Sequence, residues 1–248
     1  MVSKEEKKYI RSLQRKKYRQ QYKAFVCEGT KIVKELINEK ASVQKILATE
    51  QWQEEQESIL SQAPYPVKTV TEKTLQQLSS LAKSNHVLAV VAMANKQEPP
   101  TPTEGTLSLA LENIQDPGNL GTIIRTADWF GITTIYSSTT TVDQYNPKVI
   151  QSSMGSFLRI THYYCNLSDV LAQSTSPVIA ASMQGQNLFT TPSPSAGGVL
   201  LIGNESQGLS GEVLGFAHHQ VHIPSRGHAE SLNAAVAASI LMTWARWQ

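Results

Sequence analysis

The architecture of this 248-residue chain follows from one segment, Leu107-Ser-Leu-Ala-Leu-Glu-Asn-Ile-Gln-Asp-Pro-Gly-Asn-Leu-Gly-Thr-Ile-Ile-Arg125. It opens with an apolar run, passes through the turn-forming residues Asp116-Pro-Gly118, and continues into residues typical of a helix. Asn119 stands where a helix N-cap is expected, and Arg125 would face outward from the second turn. The segment therefore predicts a buried strand followed by a helix over Leu120–Phe130.

Similar apolar runs recur through the second half of the chain. The further predicted strands are Ile132–Ser137, Val178–Ser182, Val199–Gly203 and Gln220–Ile223. Helices are predicted between and after them, at Pro147–Ser153 and Ser231–Trp244. Strands that are apolar on both faces and alternate with helices indicate a parallel sheet covered by helices, hence an α/β domain.

A proline-rich stretch separates this region from the first half. Pro99, Pro100 and Pro102 exclude a helix or a central strand, so residues 97–105 are predicted to be a linker between domains 1–96 and 106–248. In the first domain, too, predicted helices alternate with predicted strands. Its predicted helices are Lys4–Gln21, Thr30–Asn38, Gln51–Gln62 and Thr71–Leu81, and its strands are Val43–Ala48 and Val87–Met93. This indicates a small α/β domain of the size of an RNA-binding module.

Charge is distributed unevenly along the chain. The net charge is +2, but residues 1–40 carry 12 Lys and Arg against five Glu, a balance of +7, which leaves −5 for the rest. A basic arm on an acidic body suits a polyanionic partner such as RNA. A solvated helix face explains the same charges equally well.

The composition excludes several classes of protein. No run approaches the roughly 20 apolar residues of a membrane span, and the opening residues do not resemble a secretory signal. Cys27 and Cys165 are isolated, so neither a disulfide framework nor a metal site is expected. The same observation predicts a cytoplasmic location. His218, His219 and His222 lack further ligands and are interpreted as surface or strand-end residues.

Polar and glycine residues gather where the predicted strands end. Gly203-Asn-Glu205 and Gly208 follow one strand, and Ile223-Pro224 with Glu230-Ser-Leu-Asn233 follow another. Ligands of open parallel sheets bind beyond the carboxyl ends of the strands. Each of these loops alone could be only a tight turn or a helix cap. In the last of them, Ser231 or Asn233 would cap the helix that follows.

The order of the three loops resembles a known enzyme family. Asn119-x-Gly-x-x-x-Arg125, Gly203-Asn-Glu-x-x-Gly208 and Ile223-Pro followed by Glu230-Ser-Leu-Asn233 are similar to the three motifs of the SpoU (TrmH-like) RNA methyltransferases. The resemblance spans residues 107–245. Ile10–Arg19 and Phe25–Gly29 also resemble the start of that family's substrate-binding domain. One departure is Ala235, where many relatives have serine.

The resemblance implies a SPOUT-type α/β fold with a C-terminal trefoil knot, a homodimer with active sites near the subunit interface, and S-adenosylmethionine as cofactor. The implied reaction is 2′-O-methylation of ribose in RNA, ribosomal RNA being favoured over transfer RNA. Residues implied to hold the cofactor are Ala181, Ser182, Met183, Gly203, Ile223 and Leu232.

The implied catalytic residues are Arg125, Asn119, Glu205 and Asn233. In the family, the arginine is proposed to act as general base. A guanidinium with a pKa above about 12 is a poor base, so Arg125 is better suited to grip a phosphate and stabilise the forming alkoxide. Glu205 is expected to orient Arg125 or a neighbour.

RNA is expected to bind the basic first domain. Its predicted contacts are Arg15, Lys16, Lys17, Arg19 and Lys23, with tyrosines between them available to stack on unpaired bases. Phe25 is assigned to that domain's core. A catalytically silent RNA-binding protein is the alternative from a different class. A dinucleotide-dependent oxidoreductase is disfavoured, since no G-x-G-x-x-G follows the first strand of either half.

Overall fold

The computed structural model describes residues 2–61, 63–81, 85–95, 97–194 and 197–247. These residues divide into two compact units, the first comprising residues 1–95 with 145–158 and the second residues 96–144 with 159–248. Gln62 and residue 96, the predicted ends of a helix and of the first domain, lie outside the described residues.

Strands of the two units are numbered in chain order. They are β1 (Ala24–Glu28), β2 (Val43–Ala48), β3 (Val67–Thr69), β4 (Val87–Ala92), β5 (Leu107–Leu111), β6 (Thr134–Ser138), β7 (Thr161–Cys165), β8 (Val178–Asn187), β9 (Gly198–Ile202) and β10 (His219–His222). The helices are α1 (Lys4–Ser12), α2 (Lys16–Tyr22), α3 (Thr30–Asn38), α4 (Glu50–Glu55), α5 (Glu57–Leu60), α6 (Glu72–Leu78), α7 (Pro117–Trp129), α8 (Pro147–Ser153), α9 (Leu167–Ala172), α10 (Gly211–Leu214) and α11 (Ala234–Trp247).

The first unit is built on a mixed sheet with strand order β1-β4-β2-β3. Central strand β4 is antiparallel to β1 and β2, while β3 is parallel to β2. Residues Val87 to Val91 of β4 are all buried because helices cover the sheet, and Phe25 is buried as predicted. Helix α8 belongs to this unit, where its Gln151 donates a 2.9 Å hydrogen bond to the Glu28 carbonyl.

The single helix predicted over Lys4–Gln21 is wrong, because the chain breaks between α1 and α2. Leu13 is buried at the break, and the Arg19 guanidinium donates to the carbonyls of Leu13 (3.0 Å) and Gln14 (2.9 Å). Arg19 itself is only 2% exposed. The structure thus corrects the prediction for Arg19, whose guanidinium satisfies the carbonyls at the end of α1 and is not offered to RNA.

The second unit contains a parallel sheet with strand order β10-β8-β9-β5-β6-β7. The inner strands β5 and β9 are buried along their whole length, which is the burial expected of strands covered on both faces. The predicted α/β class with a parallel sheet is confirmed. Edge strand β7, Thr-His-Tyr-Tyr-Cys, was not predicted, since it lacks an apolar run.

Helices α7 and α11 lie side by side and run in the same direction. The Asn233 side chain reaches Asn119 near their first turns, and Arg246 reaches the Gly131 carbonyl near their ends. Small buried residues on α11, such as Ala238, allow this close packing. No helix in the described part of the chain is long and apolar enough to span a bilayer.

Candidate active site

The carboxyl ends of four neighbouring parallel strands, β10, β8, β9 and β5, lie along one edge of the second sheet. A cleft of about 620 Å³ opens there. All six residues predicted to hold the cofactor line it, namely Ala181, Ser182, Met183, Gly203, Ile223 and Leu232. Polar and glycine loops at the end of an open parallel sheet are where ligands of such folds bind.

Backbone segments at this cleft approach each other so closely that side chains are excluded. A Cβ on Gly203 would lie 2.4 Å from the backbone of Gly208, with which this turn closes. Asn204 stabilises the turn, because it exchanges backbone hydrogen bonds with Gly208 and its Oδ1 accepts from the amides of Ser206 and Gln207. Packing therefore requires a glycine at position 203, whereas at position 208 a positive φ of 68° favours glycine.

Strand β8 carries an irregularity at the other side of the cleft. Its pairing with β10 jumps from Ala180 opposite Gln220 to Gln186 opposite Val221, so residues 181–185 leave the regular ladder. A Cβ on Gly185 would lie 2.4 Å from the Val221 amide nitrogen. Residues 181–184 of this bulge line the cleft.

Three predicted catalytic residues form one hydrogen-bonded chain. The Asn119 amide donates to the Glu205 carboxylate, and the Asn233 amide donates to Asn119 Oδ1 at 2.9 Å. Asn233 also caps α11, because its Oδ1 accepts from the amides of Ala235 and Val236. The side chain of Asn119 is thus held in one orientation by a neighbour on each side.

The prediction that Asn119 caps its helix is wrong. Helix α7 begins at Pro117, and Asp116 is the N-cap, with its Oδ1 accepting from the Asn119 amide nitrogen at 2.9 Å. Asp116 takes this position because proline fits the first helical residue, which moves the start three residues earlier. The correction leaves the side chain of Asn119 available to join the loops.

Three further hydrogen bonds connect the loop after β5 to the loop after β9. Glu112 accepts from the Ser210 amide and hydroxyl, at 2.7 and 2.6 Å, and Asn204 donates to the Asn113 carbonyl at 3.0 Å. Asn113 adopts a positive φ of 57°, a conformation that asparagine tolerates better than most residues. These contacts fix the two loops as one rigid wall.

Arg125 stands apart from this chain of side chains. It is exposed on α7, it does not line the cleft, and within the described residues it has no hydrogen bond or ion pair. Its neighbour one turn later, Trp129, is 84% exposed. Glu205 therefore orients Asn119 and not Arg125.

Charged residues are few along the cleft. They are Glu205, Arg226 and Glu230, and Glu205 is the one bound to Asn119. Arg226 and Glu230 were not singled out from the sequence, although both lie inside the third motif. The structure shows no group of three or more His, Cys, Asp or Glu suited to a metal ion in the parts of the chain it describes.

The first unit presents most of the predicted RNA contacts to solvent. Arg15, Lys16, Lys17 and Lys23 are exposed around α2. Tyr22 at the end of that helix is 44% exposed. Its ring meets Tyr9 edge-on, with centroids 5.0 Å apart, and lies parallel to Tyr18 at 6.3 Å.

Comparison with known proteins gives this geometry its family context. Residues 106–243 match the model of the SpoU rRNA Methylase family, and residues 4–89 match the MRM3-like substrate binding domain. The chain belongs to the SpoU rRNA methylase family. The family predicted from the three motifs is thereby confirmed, and the SpoU match covers every residue of the cleft.

Relatives extend the likeness over nearly the whole chain. A tRNA/rRNA methyltransferase of Synechocystis sp., described as uncharacterized, is 31% identical, covering 97% of this chain and 90% of the relative. The Bacillus subtilis 23S rRNA (guanosine(2553)-2'-O)-methyltransferase RlmP is 30% identical over 94% of this chain and 92% of its own. The solved structure of an AdoMet-bound rRNA methyltransferase from Sinorhizobium meliloti superposes on this chain with a TM-score of 0.86, and the two sequences are 30% identical. The superposition covers 99% of this chain and 96% of the Sinorhizobium meliloti protein.

Proposed function

We propose that this protein is an S-adenosylmethionine-dependent RNA 2′-O-ribose methyltransferase acting on ribosomal RNA. The observation that carries the proposal is the cleft at the ends of β8, β9 and β10, with the Glu205–Asn119–Asn233 chain beside it. Names of the relatives support ribosomal RNA as substrate, since RlmP is named for 23S rRNA. A transfer RNA substrate is the alternative within the same reaction.

The residues of the cleft fit an adenosylmethionine molecule. Met183 is 71% exposed and Leu232 is 42% exposed, although both line the cleft, so apolar surface is available to an adenine ring. The bulge at 181–184 and the turn at Gly203 bring backbone donors and acceptors to the same wall. Bound there, the sulfonium would supply an activated methyl group. Ile223 and Leu232 would pack on the adenine while main-chain groups bond to its edge.

Arg125 is proposed to act on the RNA, not on the cofactor. Its guanidinium is exposed and has no partner in the described parts of the chain, so its donors are available to a phosphate or to the ribose oxygen. A guanidinium remains charged at all working pH values and stabilises negative charge that develops on that oxygen during transfer. Asn119 and Asn233 would hold the loop at which the ribose lies.

A homodimer is proposed to complete the site. Apolar side chains are exposed on α7 and α11, with Trp129 84%, Trp247 76% and Val236 47% exposed. Arg125 and Trp129 are one turn apart on α7, so a second copy that covers Trp129 would place Arg125 at the boundary between subunits. This arrangement would explain why Arg125 does not reach the cleft of its own chain.

The first unit is proposed to hold the RNA. Lys16 and Lys17 on α2, with Arg15 and Lys23 at its ends, would contact phosphates, and the exposed ring of Tyr22 would stack on an unpaired base. The match to a substrate binding domain supports this role. A knotted C-terminal segment remains a prediction from the family resemblance, and a cytoplasmic location remains a prediction from the two isolated cysteines.

A single assay tests the activity. The protein is incubated with methyl-labelled S-adenosylmethionine and either deproteinised ribosomal RNA or transfer RNA from cells that lack this gene. Label is expected in one ribosomal RNA, at a ribose that stops primer extension when nucleotides are limiting. Label in transfer RNA would select the alternative substrate. Cofactor binding without transfer to either RNA, or to intact ribosomal subunits, would identify a silent RNA-binding protein.

A further inference from the structure

Two of the charged residues that line the cleft have no role in the chemistry described so far. Glu205 is held by Asn119, whereas Arg226 and Glu230 have no hydrogen bond or ion pair among the residues that the structure describes. Both are exposed at the mouth of the cleft. They bring one positive and one negative group to a cleft whose other lining residues are uncharged apart from Glu205 and His222.

The segment that carries them is held at both ends and has no regular secondary structure between. At one end, His222 closes β10, with its Nδ1 2.7 Å from the Gly185 carbonyl. At the other end, Asn233 caps α11. In the middle, Ser225 Oγ accepts from the Gly227 amide at 3.3 Å. Arg226 and Glu230 therefore project from a loop whose ends are fixed relative to the cleft.

The apolar wall of the cleft suits the adenosine end of the methyl donor. The charges of Arg226 and Glu230 match its other end, the methionine part. S-Adenosylmethionine has an adenosine part with a flat adenine ring and a methionine part that ends in a carboxylate and an ammonium group. Met183 and Leu232 suit the first part, and a guanidinium and a carboxylate that line the same cleft suit the second. Arginine binds carboxylates through two parallel N–H donors, which fixes their direction as well as their position.

Resting on the proposed function, we infer that Arg226 binds the carboxylate of the methionine end and Glu230 binds its ammonium group. The two residues would set the direction in which the methionine part leaves the adenosine pocket, and hence the direction of the sulfonium methyl. Arg226 and Glu230 are then positioning residues for the transfer. The other anion that could reach an exposed arginine here is an RNA phosphate, and the experiment separates the two.

Calorimetry with three ligands tests each charge separately. S-Adenosylhomocysteine has both the carboxylate and the ammonium group, decarboxylated S-adenosylmethionine has only the amine, and 5′-methylthioadenosine has neither. R226A is expected to weaken S-adenosylhomocysteine about tenfold and to leave the other two within about twofold of wild type. E230Q is expected to weaken the first two ligands and to spare methylthioadenosine.

His228→Ala is the matched control, because His228 is exposed on the same loop and does not line the cleft. It should change none of the three affinities. Equal weakening of all three ligands by R226A, or none, would overturn the inference and leave the proposed function intact. Weaker RNA binding by R226A with unchanged binding of S-adenosylhomocysteine would do the same and assign Arg226 to a phosphate. If the wild-type protein binds none of the ligands, both the inference and the proposed function fail.

Discussion

The side-chain amide of Asn119 donates a hydrogen bond to the carboxylate of Glu205, 86 residues further along the chain. This one bond joins the loop after β5 to the loop after β9, and Asn233 extends it to the start of α11. Three separate motifs are therefore parts of a single structural unit. An asparagine suits the central position because its amide donates in one direction while its carbonyl accepts in the other.

Asn119→Asp should show what the donor contributes. The change keeps the acceptor for Asn233 but sets two carboxylates against each other at Glu205. Methyl transfer at pH 7 is expected to fall about 10- to 100-fold, with a loss of about 1–2 kcal/mol in the free energy of unfolding. Lowering the pH to 5 should recover part of the stability, because a proton shared by the two carboxyl groups replaces the lost donor.

Gln173→Glu is the control for an amide-to-carboxylate change elsewhere, since Gln173 follows the end of α9, its side chain donates to the Asp169 carbonyl and it does not line the cleft. Denaturation monitored by circular dichroism, with transfer measured in parallel, would record both effects. Wild-type transfer by Asn119→Asp at pH 7 would show that the Asn119–Glu205 bond is dispensable.

Arg125→Ala should separate catalysis from cofactor binding. Because Arg125 does not line the cleft, the affinity for S-adenosylhomocysteine is expected to stay within about threefold of wild type. Loss of a group that stabilises charge in the transition state should lower kcat at least about 100-fold. Single-turnover transfer and calorimetry on the same preparation would measure the two. Loss of cofactor binding in a correctly folded variant would refute the assignment.

Trp129→Asp should dissociate the proposed dimer. A charge at the centre of an apolar interface leaves a desolvated carboxylate, and large aromatic residues commonly contribute about 2 kcal/mol or more to binding, so the dimer dissociation constant should rise at least about 30-fold. Sedimentation velocity over a range of concentrations would detect the shift to monomer. Tyr22→Asp, which alters an exposed aromatic of the first unit, should leave the assembly unchanged. A wild-type protein that sediments as a monomer at all concentrations would exclude the homodimer.

The parts of the fold that follow from local pattern could be predicted, and those set by distant contacts could not. Apolar runs identified β5, β6, β9 and the buried start of β8, because strands covered on both faces have little polar sequence. Edge strand β7 escaped this criterion. Its Thr-His-Tyr-Tyr sequence is nevertheless rich in residues that favour strands, a signal that composition could have provided.

Tertiary contacts explain the other differences. Nothing between Lys4 and Gln21 breaks a helix locally, so the interruption near Leu13 depends on Arg19 supplying donors from within the fold. The three loops were predictable because they follow strand ends, whereas the individual residues of the cleft were implied by the resemblance to the SpoU family. Arg226 and Glu230 were not singled out, because an exposed charge in a loop has no periodicity and gains meaning only when the cavity beside it is known.

Lys16→Gln combined with Lys17→Gln should weaken RNA binding and its dependence on salt. The slope of log K against log salt is negative for single strands, and each phosphate that the protein no longer neutralises reduces its magnitude by about 0.7. Removing two lysines should therefore reduce the magnitude by about 1.4. Filter binding of the mapped RNA fragment at several salt concentrations gives the slope. Lys31→Gln with Lys73→Gln makes the same charge change on α3 and α6 and should have no such effect. An equal reduction of the slope in both double variants would mean that net charge alone attracts the RNA.

Stability should decrease in mild acid because of His162. Burial lowers the pKa of this imidazole to about 3; its Nε2 lies 2.7 Å from Ser137 Oγ, and its Nδ1 is shielded from solvent without a partner in the described residues. In the unfolded chain the ring binds a proton below about pH 6.5, whereas in the folded protein it stays neutral down to about 3. The unfolded state therefore gains protons first, and the free energy of unfolding should fall by about 1–2 kcal/mol between about pH 6.5 and 5.

His162→Gln should flatten this fall, since an amide can bond to Ser137 and does not titrate. His228→Gln, at an exposed position, should keep it. Urea denaturation at half-unit pH steps would compare the three proteins, and an unchanged slope in His162→Gln would place the acid sensitivity elsewhere.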